Sequence, residues 1–246
     1  LGIAIGMFTV TRGRIQAPQI LTMLGLGAGL GALGAFFGHL LTRFKHTCNY
    51  VGKLGIATFT CTGDRDHLAK EDVFLFEDAV ELRIGQTRNY YNGAYTGTNY
   101  AFNWTNKKAK QVFSLSGSYS SEAGTPHAKD PFYFALAAET SWTLYLFGNM
   151  GELTGDDEVV FGLKGNDYVE LRQNEITIVQ GGKTTTLETE DIQQMRIEAG
   201  MVSIWQHGAK KGWFTDTGIV SFSYAELGNA RFFVFALEKL LGIRIE

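Results

Sequence analysis

The first 63 residues of this chain contain no aspartate or glutamate, its 246 residues include only two cysteines, and no familiar catalytic signature occurs in it. Two cysteines, Cys48 and Cys61, cannot build a disulfide scaffold. They read as two half-buried thiols, or as one bridge across a hairpin. A GxSxG elbow, an HExxH helix and a phosphate loop are all missing, so no motif gathers the nucleophile, base and orienting group that covalent or acid–base catalysis needs. The five histidines are scattered. Neither enzymatic activity nor a cofactor is expected.

The absence of acids near the start leaves Arg12, Arg14, Arg43, Lys45 and Lys53 as a stretch of charge +5, and with a net charge of -3 the remainder carries -8. An acidic body lacks the clustered Lys and Arg that neutralise phosphates, which argues against nucleic acid as a partner. With 45% hydrophobic residues, 19% charged residues and a mean hydropathy of -0.05, the composition is that of a globular protein and excludes a polytopic membrane protein. The length suits two small domains, each with its own core.

What is present begins with Ile20 to Leu41, 22 residues without a formal charge. As a helix this run is about 33 Å long, which matches a hydrocarbon core. Its six glycines suit a bilayer better than water. The expectation is a transmembrane helix over 20–42, preceded by an apolar and basic segment over 1–19 in which an earlier membrane helix would end. Gly27, Gly31, Gly34 and Gly38 share one helix face, a small-residue surface for packing against another helix. The string from Gly29 to Gly34 also matches GxGxxG, but Pro18 precedes the run and the first acid is Asp64, so the strand and ribose-binding acid of a dinucleotide site are missing.

Beyond His46 the periodicity becomes that of strands: Tyr50 to Cys61, Val73 to Phe76, Val80 to Thr87, Tyr95 to Trp104 and Gln111 to Tyr119. Asn92-Gly93 suits a tight hairpin turn and Asn106 to Lys110 a longer one. Asp130-Pro131 then opens a helix ending near Gly148, and Met150 to Asp157 reads as a linker. Strands follow at Val159 to Leu163, Tyr168 to Leu171, Glu175 to Val179, Lys183 to Leu187, Met195 to Glu198, Val202 to Gln206 and Ile219 to Tyr224, with tips at Gly181-Gly182 and His207 to Gly212. A last helix follows Gly228-Asn229. Both helices contain FxFAL, at Phe132 to Leu136 and Phe233 to Leu237, an offset of 101 residues that points to duplication. The domains are expected over 47–150 and 157–246.

Six or seven antiparallel strands closed by one amphipathic helix resemble the pleckstrin-homology-like fold. The segments Lys183 to Glu198 and Met201 to Gln206, followed by the FxFAL helix, are similar to bacterial membrane-anchored proteins of that class whose function is uncharacterised. The fold class this resemblance implies is α+β, mainly β: one transmembrane helix followed by two pleckstrin-homology-like domains, each a curled antiparallel sheet capped by a C-terminal helix. It implies a non-enzymatic, membrane-tethered scaffold or accessory subunit that binds a protein partner. The sequence departs from the phosphoinositide-binding members, because its first hairpins carry only Lys53 and Lys164 as cations.

Four groups of residues are candidates for chemistry or contact. Tyr90, Tyr91, Tyr95 and Tyr100 form a tyrosine-rich surface of the kind that dominates protein interfaces, although strands also favour tyrosine for pairing. Lys107, Lys108 and Lys110 near Trp104, and Lys210 and Lys211 near Trp213 and Phe214, are basic tips suited to anionic lipid; solvated turns are their ordinary alternative. His46, Cys48, Cys61 and His67 match no zinc spacing, and no metal is expected. The acid pairs Glu77-Asp78, Asp156-Asp157 and Glu190-Asp191 read as solvated turns. The expected partners are the bilayer and a protein within a membrane complex, or a second copy of the chain; the alternative is a tethered module that binds anionic lipid. Cations on both sides of the apolar run nearly balance, and the expected location is a single- or two-pass membrane protein with cytoplasmic domains.

Overall fold

The structure, a computed structural model, describes residues 17–41, 45–62, 68–121, 126–151, 157–212 and 216–245. Its elements in order are α1 (Ala17–Leu41), β1 (Lys45–Val51), β2 (Gly55–Thr62), β3 (Leu68–Leu75), β4 (Glu81–Tyr91), β5 (Ala94–Thr105), β6 (Gln111–Tyr119), α2 (Phe132–Met150), β7 (Val159–Gly162), β8 (Tyr168–Arg172), β9 (Glu175–Gln180), β10 (Lys183–Glu188), β11 (Ile192–Glu198), β12 (Met201–Lys210), β13 (Thr217–Ser223) and α3 (Ala230–Leu241). The strands form four small sheets, in the orders β1-β2-β3, β4-β5-β6, β10-β9-β8-β7 and β11-β12-β13. Two units are distinguished: one holds the described residues up to Cys48 and those of Thr58–Asp72, the other Asn49–Ala57 and Val73–Glu246.

The fold-class expectation requires correction. The chain is mainly β, built from several small antiparallel sheets with three helices among the described residues. No helix among them is long and apolar enough to cross a membrane. The single- or two-pass membrane location expected from this segment loses its basis. Arg12, Arg14, Arg43 and the segment before residue 17 lie outside the described residues.

In the larger unit the strands follow burial. Tyr100, Phe102 and Trp104 of β5 point inward with Leu82 of β4, as do Val169 and Leu171 of β8 and Ile176 and Ile178 of β9. The β4–β5 turn has positive φ at both Asn92 (48°) and Gly93 (80°), the geometry that a two-residue hairpin connection demands. Asp130 caps α2 by accepting the Phe132 N–H at 2.8 Å, with Pro131 between them. The FxFAL strings lie in α2 and α3, and both bury their first phenylalanine and their alanine: Phe132 with Ala135, and Phe233 with Ala236.

Two expectations about strands change. The run from Tyr50 to Cys61 is broken, because the Gly52 N–H turns back to the Gly55 carbonyl at 2.9 Å and separates β1 from β2. The tip expected at His207 to Gly212 begins later, since β12 continues to Lys210 across an irregularity in its pairing with β13.

Two apolar cores result. One gathers Phe74, Phe76, Leu82, Phe102, Trp104, Phe132 and Trp142; the other gathers Val169, Leu171, Ile176, Met195, Val202, Ile204, Phe222 and Phe233.

Candidate functional site

The β4–β5 hairpin joins a fixed base to an exposed tip. At the base Asn229, which precedes α3, reaches the other half of the larger unit. Its N–H donates to the Leu82 carbonyl at 2.8 Å. Its Oδ1 accepts from the Leu82 N–H and from Trp142 Nε1, each at 2.9 Å, and its Nδ2 donates to the Val80 carbonyl at 3.0 Å. Beside it Arg83 pairs with Glu81 and donates to the Leu163 carbonyl at 2.8 Å. Gly228 lies against Glu81 so closely that an added Cβ would meet the carboxyl carbon at 2.5 Å. These polar contacts form the seam between the two cores.

A second polar group completes the seam. Glu139 of α2 is 8% exposed and lies 3.6 Å from Arg231 of α3, which also donates to the Thr140 hydroxyl at 2.8 Å. Burial raises the Glu139 carboxyl above its ordinary range and the Arg231 charge pulls it part of the way back. Burial also raises the Tyr224 phenol, with Glu139 adding to the effect.

At the tip Tyr90 is 60% and Tyr91 72% exposed. The Tyr90 and Tyr95 rings meet edge to face with centroids 5.9 Å apart, and the Tyr95 hydroxyl lies 2.8 Å from that of Thr98. Neighbouring residues of a strand point to opposite faces, so Tyr90 and Tyr91 present aromatic surface on both sides of the arm. Tyr100 is separated from these three. It is 6% exposed, packs against Phe132 at 5.1 Å, and its phenol is raised by burial and then by Asp130.

Lys107, Lys108 and Lys110 occupy the opposite end of β5, in a turn where Asn106 Oδ1 accepts from the backbone of Lys108 at 3.0 Å and of Lys110 at 3.2 Å. Trp104 beside them is 0% exposed, so this tip offers cations without an accessible indole. Lys210 ends β12 and Lys211 is exposed; Trp213 and Phe214 lie outside the described residues. Gly27, Gly31, Gly34 and Gly38 lie on α1, and a Cβ built on any of them would meet no neighbouring atom within 4 Å.

Cys48 is exposed and Cys61 half-buried, and both are free thiols. The His46 side chain and His67 lie outside the described residues, among which no group of three or more His, Cys, Asp or Glu is placed to hold a metal. Glu77-Asp78 and Glu190-Asp191 sit on short helical turns, and Asp156 lies outside the described residues. The Glu188 carboxyl is raised by its hydrogen bond to Glu190 and the negative charge around it, in an open depression shared with Gln173, Asn174 and Glu175.

No protein-family model matches the chain, and no curated protein matches it. The seam is what sequence reasoning missed. Gly228-Asn229 was legible as a helix start, but the Asn229 side chain makes no cap hydrogen bond to α3.

Proposed function

We propose that this chain is a non-enzymatic scaffold that binds a protein partner through the β4–β5 arm. The observation that carries the reading is the pairing of a tightly bonded base with a tip where two tyrosines are 60% and 72% exposed. Aromatic side chains bury large areas at low entropic cost, and a rigid base lowers the ordering penalty of association.

The test is site-specific photo-cross-linking in the native host, with the reactive group at position 91 and, separately, at position 108. A single protein captured in stoichiometric amount from position 91, but not from 108, is the expected result, and Tyr90→Ala should diminish it. The reading is overturned if position 91 captures nothing while the purified chain binds anionic vesicles in a salt-sensitive manner that depends on Lys107, Lys108 and Lys110. That outcome would assign the chain to lipid binding.

A further inference from the structure

The β4–β5 arm ends in the one Asn-Gly dipeptide of the chain, Asn92-Gly93. An asparagine before glycine is chemically labile, because the next backbone nitrogen can close a five-membered ring on the side-chain amide and glycine sets no side chain in the way. Every other asparagine precedes a residue with a side chain. Several are also held: Asn103, Asn106 and Asn229 accept hydrogen bonds through Oδ1. Tyr91 pairs with Ala94, so Asn92 and Gly93 stand outside the ladder, and all four residues are exposed. The Asn92 amide makes no hydrogen bond among the described residues.

Ring closure requires the turn to leave its left-handed geometry, φ 48° at Asn92 and 80° at Gly93, and the arm supplies that freedom. Only two pairs, Tyr90 with Tyr95 and Tyr91 with Ala94, lie beyond the irregularity in the β4–β5 register. β6 pairs with β5 only from Thr98 onward, so β6 does not support them. The edge-to-face contact of Tyr90 with Tyr95, centroids 5.9 Å apart, holds this end closed. Two exposed pairs past a bulge open at less cost than the ladder below them.

We infer that Asn92-Gly93 is a site of spontaneous deamidation whose isoaspartyl product disables the partner surface. The Gly93 nitrogen attacks Asn92 Cγ: a C–N bond forms, the Cγ–Nδ2 bond breaks, and the amide leaves as ammonia with the proton of the attacking nitrogen. Water then opens the cyclic imide at either carbonyl. Opening at Cγ gives aspartate, and opening at the main-chain carbonyl gives isoaspartate, with the chain now running through the former side chain. The net change is water consumed and ammonia released, with no oxidant or reductant. Isoaspartate adds a methylene to the backbone of a two-residue connection whose geometry is fixed by the twist of its strands, so the Tyr91–Ala94 pair is lost and Tyr90 and Tyr91 leave their places. This loss of function rests on the reading of the arm as the partner surface; the modification itself does not.

The probe is the full chain, aged in mildly alkaline buffer at physiological temperature beside a free peptide of residues 90–95, with conversion followed by peptide mass mapping. Hydroxylamine, which cleaves the cyclic imide, should cut between residues 92 and 93. The expected result is conversion at Asn92 ahead of every other asparagine, slower than in the free peptide, with the iso form in excess. Tyr95→Ala removes the ring contact that closes the arm and should speed conversion by about two- to tenfold. The aged parent chain decides the matter even if that variant fails to fold. A parent chain left unchanged after the free peptide has converted would overturn the inference, as would equal conversion at Asn166 and Asn174. Cross-linking from position 91 should fall in proportion to the fraction converted, and undiminished capture by converted chain would overturn the disabling effect. If fresh chain captures nothing, the functional reading fails while the mass change still decides the modification.

Discussion

Asn229 stands in the left-handed backbone region (φ 54°, ψ 40°), and its side chain bonds Val80, Leu82 and Trp142 instead of the helix it precedes. Replacing it with alanine strips partners from the Leu82 N–H and Trp142 Nε1 and places a Cβ-bearing residue without a polar group in a left-handed position. The expected loss is about 2–4 kcal/mol, read from urea unfolding. Asn229→Gly should retain most of the bonding deficit and recover about 1 kcal/mol of the backbone cost. Glu139 supports a prediction of opposite character. Its folded pKa lies above the ordinary value of 4.5, so the folded chain binds more protons than the unfolded chain across that interval. Its contribution to stability is present at low pH and is lost as pH rises from the unfolded value through the raised folded value. Glu139→Gln should flatten that slope and be at least as stable as the parent at neutral pH; unfolding midpoints measured across the acid range check it.

The β4–β5 hairpin changes character along its length, and substitutions should follow that gradient. Tyr90→Ala and Tyr91→Ala remove exposed rings and should shift stability by no more than about 0.5 kcal/mol. Phe102→Ala, in the same hairpin but fully buried among Tyr100, Phe132 and their neighbours, should cost about 3–5 kcal/mol. Gly93→Ala should cost about 1 kcal/mol, because φ of 80° at that position suits glycine alone among common residues. Thermal unfolding should place Phe102→Ala lowest, Gly93→Ala next and the two tyrosine variants nearest the parent, and an exposed tyrosine that behaved like Phe102 would mean the tip is packed. The helices teach a related lesson. FxFAL places a phenylalanine and an alanine three residues apart on one face, and in both α2 and α3 that face is the buried one. No helix among the described residues is long and apolar enough to cross a membrane.

For the larger unit as a whole, two cores meet at one polar seam, and this sets how it should unfold. Asn229, Arg83 and the Glu139–Arg231 pair couple the halves, supported by Phe147 of α2 against Phe232 and Phe235 of α3 at 4.8 and 4.2 Å. A double variant, Arg83→Ala with Asn229→Ala, should separate the unfolding of the two cores, so that amides of β5 and of β9 exchange with hydrogen free energies that no longer agree. Persistence of a single cooperative transition would show that apolar packing alone couples them. Much of this arrangement was legible beforehand, because alternation in β5, β8 and β9 is clean wherever one strand face is buried. The break at Gly52 to Leu54 was hidden, since Leu54 continues the apolar pattern through the turn. The seam was hidden for another reason: Asn229 bonds residues 87, 147 and 149 positions away, and no local pattern records such a pairing.

The sequence by itself determined where most strands of the larger unit lie and that each half ends in a helix, because these follow from local periodicity and turn chemistry. Only the tertiary structure decided that Asn229 faces β4 rather than its own helix, and that Tyr90 and Tyr91 are exposed while Tyr100 is buried. Those outcomes depend on which distant segments pack together, and the free energy of that packing is not encoded in any short stretch of chain.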